Sequence, residues 1–414
     1  MALEQLTRTT PTPHQTYNYD LAIVGGGIIG ATLACALKNS GLSVVLIEAR
    51  PLSVEAVKPQ AYNLSLLTKR IFEGIGVWDK MLPQMTQYQN IRLSDADYPG
   101  IVQFNLKDLG TDALGYIGEH RYLITSLYEF LADCPNVTPL CPAEVVNVEY
   151  LASGAKIEVK MDGESRQLQT RLVVGADGAR SHIRTAAGIN TKGWQYWQSC
   201  VTVRIKTEKL HNNTAFERFW PSGPMGVLPL SENRCQVVWT APHAEAQALK
   251  ELDEAEFLAL LEHRTGGLLG RLELESQRFL FPVQLMQSDR YTQPRLALIG
   301  DAAHCCHPVG GQGMNLGIRD VAALAQVLQD AHQRGEDIGD IRILRRYERW
   351  RKQENLIILG FTDFLDRTFS NRWLPVVAVR RLGLWGLQTV QPLKVLALRL
   401  MTGLLGRSPQ LAQR

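Results

Sequence analysis

The segment YDLAIVGGGIIGATLACALKNSGLSVVLIEAR, Tyr19 to Arg50, constrains the fold more than any other part of the chain. Leu21 to Val24 is a short apolar run of the kind that forms a buried strand. Gly25-Gly26-Gly27-Ile28-Ile29-Gly30 then fits G-x-G-x-x-G. Ala31 to Asn39 continues as a helix-compatible apolar stretch, Ser40-Gly41 stops it, and Val44 to Ile47 reads as the next strand. That order predicts a Rossmann-type strand–helix–strand unit that binds a dinucleotide. Gly25 allows the tight turn, Gly27 lets a pyrophosphate approach the backbone, and Gly30 lets helix and strand pack closely. Unpaired N–H groups at Ile28 and Ile29 and the helix dipole favour the phosphates. Glu48 ends the second strand 18 positions past Gly30, with Ala49 behind it, and is placed to accept from ribose hydroxyls. This motif alone leaves NAD and FAD both open.

Two later segments repeat the pattern of a strand ending in glycine and aspartate. RLVVGADGARSHIR, Arg171 to Arg184, ends a strand in Gly-Ala-Asp-Gly, and a turn with Asp177 as a helix cap explains Asp177 and Gly178. It does not explain Arg180, Ser181 and Arg184, spaced so that some face the ligand side. RLALIGDAAHCCHPVGGQGMNLGIRD, Arg295 to Asp320, ends a strand at Gly300-Asp301. Asp301 is placed to accept from a ribityl hydroxyl. Gly310, Gly311 and Gly313 make a loop whose backbone can lie against a flat ring, and Met314 and Asn315 open a helix whose N-terminus would stabilise negative charge there.

His304, Cys305, Cys306 and His307 are consecutive, and four consecutive residues cannot converge on a tetrahedral metal without an unusual backbone, so no metal is expected. A bond between neighbouring cysteines would be strained, which leaves Cys305 and Cys306 as small fillers and His304 as a residue that shapes the loop. Seven scattered cysteines without a Cys-x-x-Cys pair, and no leader-like apolar stretch before them, fit a reducing compartment. A net charge of +3 without a long basic run gives no reason to expect nucleic acid. Residues 1–18 read as a flexible arm.

Together, in this order, the three motifs resemble those of the class A FAD-dependent aromatic monooxygenases. HPVGGQGMNLGIRD and FWPSGPMGVLPLSENRCQVVWT are similar to the ubiquinone-biosynthesis hydroxylases, and LSLLTKRIFEGIGVWDKM to a cyanobacterial branch of them. The resemblance implies an α/β fold: a Rossmann-like FAD-binding domain, an antiparallel-sheet substrate domain and C-terminal helices. The expected division is 19–92, 115–185 and 285–345 for the FAD domain, 93–114 and 186–284 for the substrate domain, and 346–414 for the helices. It implies FAD held by the first motif and by Asp177, Gly178, Gly300, Asp301, Gly311, Gly313, Met314 and Asn315. It implies contacts to FAD and NAD(P)H from Arg180, Ser181 and Arg184, a flavin contact at Arg121, and Pro308 beside the isoalloxazine where oxygen reacts. NADH or NADPH would reduce the flavin, O₂ would give a C4a-hydroperoxide, and an activated phenol would take up one oxygen. An arginine usual near the flavin is replaced here by Gln60.

The substrate side reads from Val201 to Thr240, as strand-like runs separated by turns. Phe219, Trp220, Pro229 and Trp239 are candidates to line an apolar pocket for a prenylated phenol, or else sheet core. After Asp366 the chain has no acid, and Arg367, Arg372, Arg380, Arg381, Lys394, Arg399, Arg407 and Arg414 are interleaved with Leu, Val, Trp373 and Trp385, giving a basic and an apolar face. Two readings stand for residues 367–414: contact with an anionic membrane surface, or a helix packed on the body with its basic face solvated; the protein is expected to be cytoplasmic or peripheral on the membrane's cytoplasmic face. A homodimer or a biosynthetic complex is the expected assembly. Alternatives are a hydroxylase of a soluble aromatic, a reductase of the geranylgeranyl type, and an FAD-binding scaffold; a W-x-W-x-I-P halogenase element is absent.

Overall fold

The computed structural model describes residues 18–51, 60–96 and 100–413. The expected arm, 1–18, lies outside these except for Asn18.

Two large sheets organise the molecule. In the first, strands Leu296–Leu298, Glu164–Gly175, Tyr19–Val24, Val44–Ile47 and Val137–Leu140 run parallel in that spatial order. Its central strands are buried on both faces, as a parallel sheet requires. Helix Ile28–Ala36 packs against Gly313–Gln333 and His120–Leu131. The antiparallel strands Glu144–Tyr150 and Ala155–Met161 extend the sheet through the long strand Glu164–Gly175.

Among the described residues the second sheet has nine strands and is mostly antiparallel. At its heart lie Thr191–Thr207, Arg234–Pro242, Met225–Leu230 and Thr214–Phe219, and beyond them Asn90–Asp95 and Ile101–Asn105. The strand-like runs between Val201 and Thr240 fall on this sheet, with the turn at Pro221–Pro224 between two of them. The expected domain boundaries at 92/93 and 284/285 each cut a strand of this sheet, Asn90–Asp95 and Phe279–Ser288. His304–Cys305 pairs with Met286–Gln287 and stitches the third motif to the second sheet.

A small sheet of Ala61–Leu64, Gly115–Glu119 and Met85–Tyr88 joins the two. Helices Ile341–Phe369, Leu374–Thr389 and Gln391–Met401 close the far side. They are fastened by cations that point inward. Arg380 Nε donates to Asp95 Oδ2 at 2.7 Å, a pair buried on both sides, and Lys394 Nζ lies 2.9 Å from Asp108 Oδ2. These two residues, read from sequence as part of a basic outer face, are tethers. An acid on the second sheet and another just past it claim them, and a buried cation needs such a partner. Trp373, Leu374, Val379, Leu382 and Trp385 are exposed instead. Among the described residues no helix is long and apolar enough to cross a membrane.

Candidate active site

Parallel register brings the three glycine motifs to one edge. Val24 pairs with Ile47 and with Gly175, and Gly175 pairs with Leu298. Gly25, Glu48, Ala176 and Ile299 therefore leave the sheet side by side, where ligands of open α/β sheets bind.

At the first motif, Gly25 has φ +107°, and a Cβ there would lie 2.5 Å from the Ala176 carbonyl oxygen. A Cβ at Gly30 would lie 1.9 Å from the Gly25 oxygen. Gly27 differs: nothing stands within 4 Å of a Cβ placed there. It caps helix Ile28–Ala36 without a side chain, so the first N–H groups of that helix are left for a ligand. Ile28 is buried, and Ile29 packs against Gly300 and Gly317. Glu48 accepts from the Gly26 and Arg50 N–H groups at 2.8 and 2.9 Å and keeps acceptor capacity to spare. Ala49, beside it, is exposed.

In the second motif Asp177 Oδ2 accepts from Ile183 N at 3.1 Å, while its Oδ1 is buried without a partner. Gly178, at φ +83°, faces open space. Ser181 is buried and caps helix His182–Ala186, accepting from Arg184 N at 2.9 Å. The Arg184 guanidinium donates to the Ala179 and Ala302 carbonyls, both at 2.9 Å, and so ties the second motif to the third. Arg180 is exposed.

The third motif turns at Gly300, φ +59°. Asp301 opens on the cleft, yet protein surrounds it closely enough that desolvation raises its carboxyl above the ordinary range. His304 turns away, its Nε2 2.5 Å from Asp320 Oδ2. Asp320 also accepts from Gly300 N, Arg351 Nε and Asn355 Nδ2. Burial would raise Asp320, but His304 and Arg351 overcome it and hold the carboxyl at about 2. Cys305 and Cys306 are both free thiols, pushed up by burial. Among the described residues no His, Cys, Asp and Glu cluster is arranged to hold a metal ion. His307 is buried, and burial pushes it down to about 3, so it is neutral. Its Nδ1 accepts from Val309 N, which puts the ring proton on Nε2, 3.2 Å from Gln198 Oε1 and 3.5 Å from Asp366 Oδ1.

Pro308 leads into Gly310 and Gly311, at φ +71° and +61°. Gly313 begins the long helix, and Met314 is partly buried against the core. Asn315, expected to contact the cofactor, is fully buried, and its side chain is fully engaged. Its Oδ1 accepts from Ser65 N and Thr68 Oγ1, and its Nδ2 donates to the Asn63 and Gly311 carbonyls. With all four bonds made, that side chain clips the loop to helix Leu66–Ile75 and has none left for a ligand. Gln60 accepts from the Tyr62 hydroxyl, whose oxygen also lies 3.0 Å from His120 Nδ1. Arg121 is half-exposed, its Nε 3.4 Å from Glu119 Oε2 and its guanidinium over the Tyr122 ring.

These features fit an FAD. Gly27, Gly178 and Gly310 leave space where any side chain would intrude, and Asp177 Oδ1 is a buried acceptor without a donor.

Beside the Pro308–Gly311 loop lies a cavity of about 410 Å³. The second sheet forms one wall and the C-terminal helices the other. Strand alternation decides which residues reach it. Ala215, Glu217 and Phe219 face the cavity, with Leu228, Val238 and Thr240 from neighbouring strands. Phe219 stacks on Phe369 at 3.8 Å between ring centres. The other three candidates do not line it. Trp239 packs on Phe257 across the sheet, Trp220 lies beneath the Arg218 and Arg264 guanidinium groups, and Pro229 stands out of phase with Leu228. A period of two sends these side chains to the opposite face. At the loop end the lining turns polar, with Asn63, Tyr88 and Glu217. None of these was singled out from sequence. An acid in phase with Ala215 and Phe219 was the available signal.

Comparison with known proteins agrees with this geometry. An FAD binding domain family model matches residues 18–355. An uncharacterised protein of Synechocystis is 53% identical over 95% of both chains. Ubiquinone hydroxylase UbiL of Rhodospirillum rubrum is 37% identical over 94% of this chain and 91% of its own. In fold, p-nitrophenol 4-monooxygenase PnpA of Pseudomonas putida superposes with a TM-score of 0.79 over 94% of this chain and 98% of its own, at 19% identity. A glycine-lined cleft fitted to FAD, opening beside an apolar cavity, is the arrangement these relationships lead one to expect, and the chain belongs to the FAD-dependent aromatic monooxygenases, within the family of ubiquinone-biosynthesis hydroxylases.

Proposed function

We propose that this protein hydroxylates a phenol bearing an isoprenoid tail, in the formation of a ubiquinone- or plastoquinone-type quinone. NADH or NADPH would supply the electrons and O₂ the oxygen. The observation that carries the reading is the shape of the cavity: polar at the Gly310 loop, apolar along its length, and bordered near the surface by the exposed Phe364, Val379 and Leu393. A ring would sit at the polar end, and a tail would leave between the helices.

Bound FAD supplies the redox chemistry of oxygen insertion. The chain's residues do the rest. Gly27 and the helix N-terminus behind it receive the pyrophosphate, Glu48 the ribose, and Asp301 the ribityl chain. Asp177 Oδ1, buried without a partner, would be free to accept from the same cofactor. Gly310 and Gly311 would offer backbone to the flavin ring, and Pro308 would stand beside it. Phe219, Phe369 and Leu228 exclude water from the reacting face. A lipid surface is the source of such a substrate, and Trp373, Leu374, Val379, Leu382 and Trp385 are the exposed apolar side chains that would meet it.

The test is NAD(P)H consumption by the FAD-loaded protein with prenylated phenols under isotopically labelled dioxygen. Stimulated consumption with label in the product supports the reading. Consumption without oxygenated product supports a reductase or an uncoupled scaffold instead.

A further inference from the structure

Glu217 stands where a carboxylate is least expected. Ala215 and Phe219, its in-phase neighbours on the strand, are apolar, and so are Leu228 and Val238 beside it. Gly226 lies directly across the ladder, where a Cβ would come within 3.4 Å of Glu217 Oε2. The missing side chain keeps the carboxylate open to the cavity. The Gly310 N–H lies close enough to favour its charged form, and the Gly310 carbonyl accepts from Asn63 Nδ2 at 3.3 Å. Asn63 Oδ1 in turn accepts from the Tyr88 hydroxyl at 3.0 Å. The peptide where the flavin loop meets the cavity thus lies between Glu217 and Asn63, and a carboxylate beside a single N–H keeps acceptor capacity to spare.

We propose that Glu217 takes the proton of the substrate's ring hydroxyl. The proposal rests on the phenol reading above. One proton moves: the O–H bond on the ring breaks, an O–H bond on Glu217 forms, and the electron pair left on the ring oxygen makes the ring a stronger nucleophile toward the incoming oxygen. The reverse transfer to the product's oxygen restores the carboxylate. No further oxidant or reductant enters this step.

The surroundings suit a base that works near neutrality. Burial raises the Glu217 carboxyl to about 7, partly offset by the Gly310 N–H. Other ionisable groups around it stay fixed. Burial raises the Tyr88 hydroxyl, pushes the Cys200 thiol up to about 12, and holds His307 neutral at about 3. On the helix side Arg380 is neutralised by Asp95. Arg92 and Arg218 share the opposite face of the sheet, as their register shows.

The test compares FAD-loaded wild type with Glu217→Gln on two probes: a geranylated phenol, and a ring-fluorinated analogue acidic enough to be ionised before it binds. FAD occupancy by absorbance and probe affinity by flavin fluorescence accompany the rates. With the unfluorinated probe, kcat of the variant should fall about 100-fold or more, with KM little changed. The ionised probe should be turned over at close to the wild-type rate. Wild-type turnover of the unfluorinated probe should drop as pH falls through about 7, where the base becomes protonated. A variant as fast as wild type on both probes, or equally slowed on both with FAD and probe bound, overturns the proposal. Wild type that binds FAD yet converts neither probe overturns the phenol reading and this role with it. If the variant fails to hold FAD, the wild-type profiles decide: a pH drop confined to the unfluorinated probe supports the role, and matching profiles sink it.

Discussion

Asp301 and Asp320 stand near the two ends of one glycine-rich segment and use a carboxylate in opposite ways. Asp301 faces the cleft, whereas Asp320 is fully buried among four donors. Replacing Asp301 with alanine removes a hydrogen bond to a charged group, worth about 1.5–3 kcal/mol. FAD affinity should therefore fall roughly ten- to a hundredfold, with the melting temperature nearly unchanged; fluorescence titration of the apoprotein measures it. An undiminished affinity would take Asp301 out of the cofactor site. Asp320→Asn should do the reverse, costing about 3–5 kcal/mol of stability, because Arg351 would lose its fully buried anion and keep only the partly exposed Glu354. The pH dependence follows from the direction of the shift. The folded carboxyl, at about 2, lies below its ordinary 3.8. Its contribution is complete above about pH 4 and is lost as pH falls through about 2. Denaturant melts over that window should show wild type losing more stability than the asparagine variant. Identical slopes would mean the charge is not what holds the pair.

Two glycines of the first motif separate folding from binding at the level of the strand–turn–helix element. Gly30→Ala would drive a methyl against the Gly25 oxygen, 1.9 Å away, so the helix must shift off the sheet. Gly27→Ala meets nothing of the protein within 4 Å. We expect the first variant to melt early and purify without flavin. The second should melt like wild type but bind FAD about tenfold or more weakly, a loss of ~1.4 kcal/mol or greater. Equal melting temperatures for the two would contradict the packing role of Gly30. This element was legible in the sequence because its parts are contiguous: strand, turn, helix and acid follow one another within 30-odd residues. The second sheet was legible only as strands. Phe219 and Trp239 look alike in composition, and only the phase of the ladder puts one in the cavity and the other against Phe257. The Asn315 side chain shows a related limit, since it clips the loop whatever its backbone N–H does. Proximity to a motif in sequence does not say whether a side chain faces the ligand or clips the loop behind it.

At the scale of the whole molecule, the cavity draws on Asn63, Phe104, Glu217, Gly310 and Phe369, parts of the chain that only the folded topology brings together. No local pattern could announce it. The C-terminal helices show the same limit, since their alternation of arginine and leucine is visible in the sequence but not the inward direction of Arg380 and Lys394. With those two cations neutralised by Asp95 and Asp108, the membrane contact proposed above would run chiefly through Trp373, Leu374, Leu382 and Trp385. Each apolar side chain fully withdrawn from water is worth roughly 1.5–3 kcal/mol, so a few suffice for reversible attachment. The chain should float with uncharged phosphatidylcholine vesicles and stay bound in high salt. A basic face would need anionic lipid and release in salt. Changing the four residues to serine should return the protein to the aqueous fraction, with melting temperature and flavin content retained, because none of them is buried in the core. It should also raise KM for long-tailed phenols in vesicles while leaving short-tailed soluble phenols unaffected. Salt-sensitive binding that survives the serine changes would assign the contact to the remaining arginines, and the tail exit between the helices would then need another location.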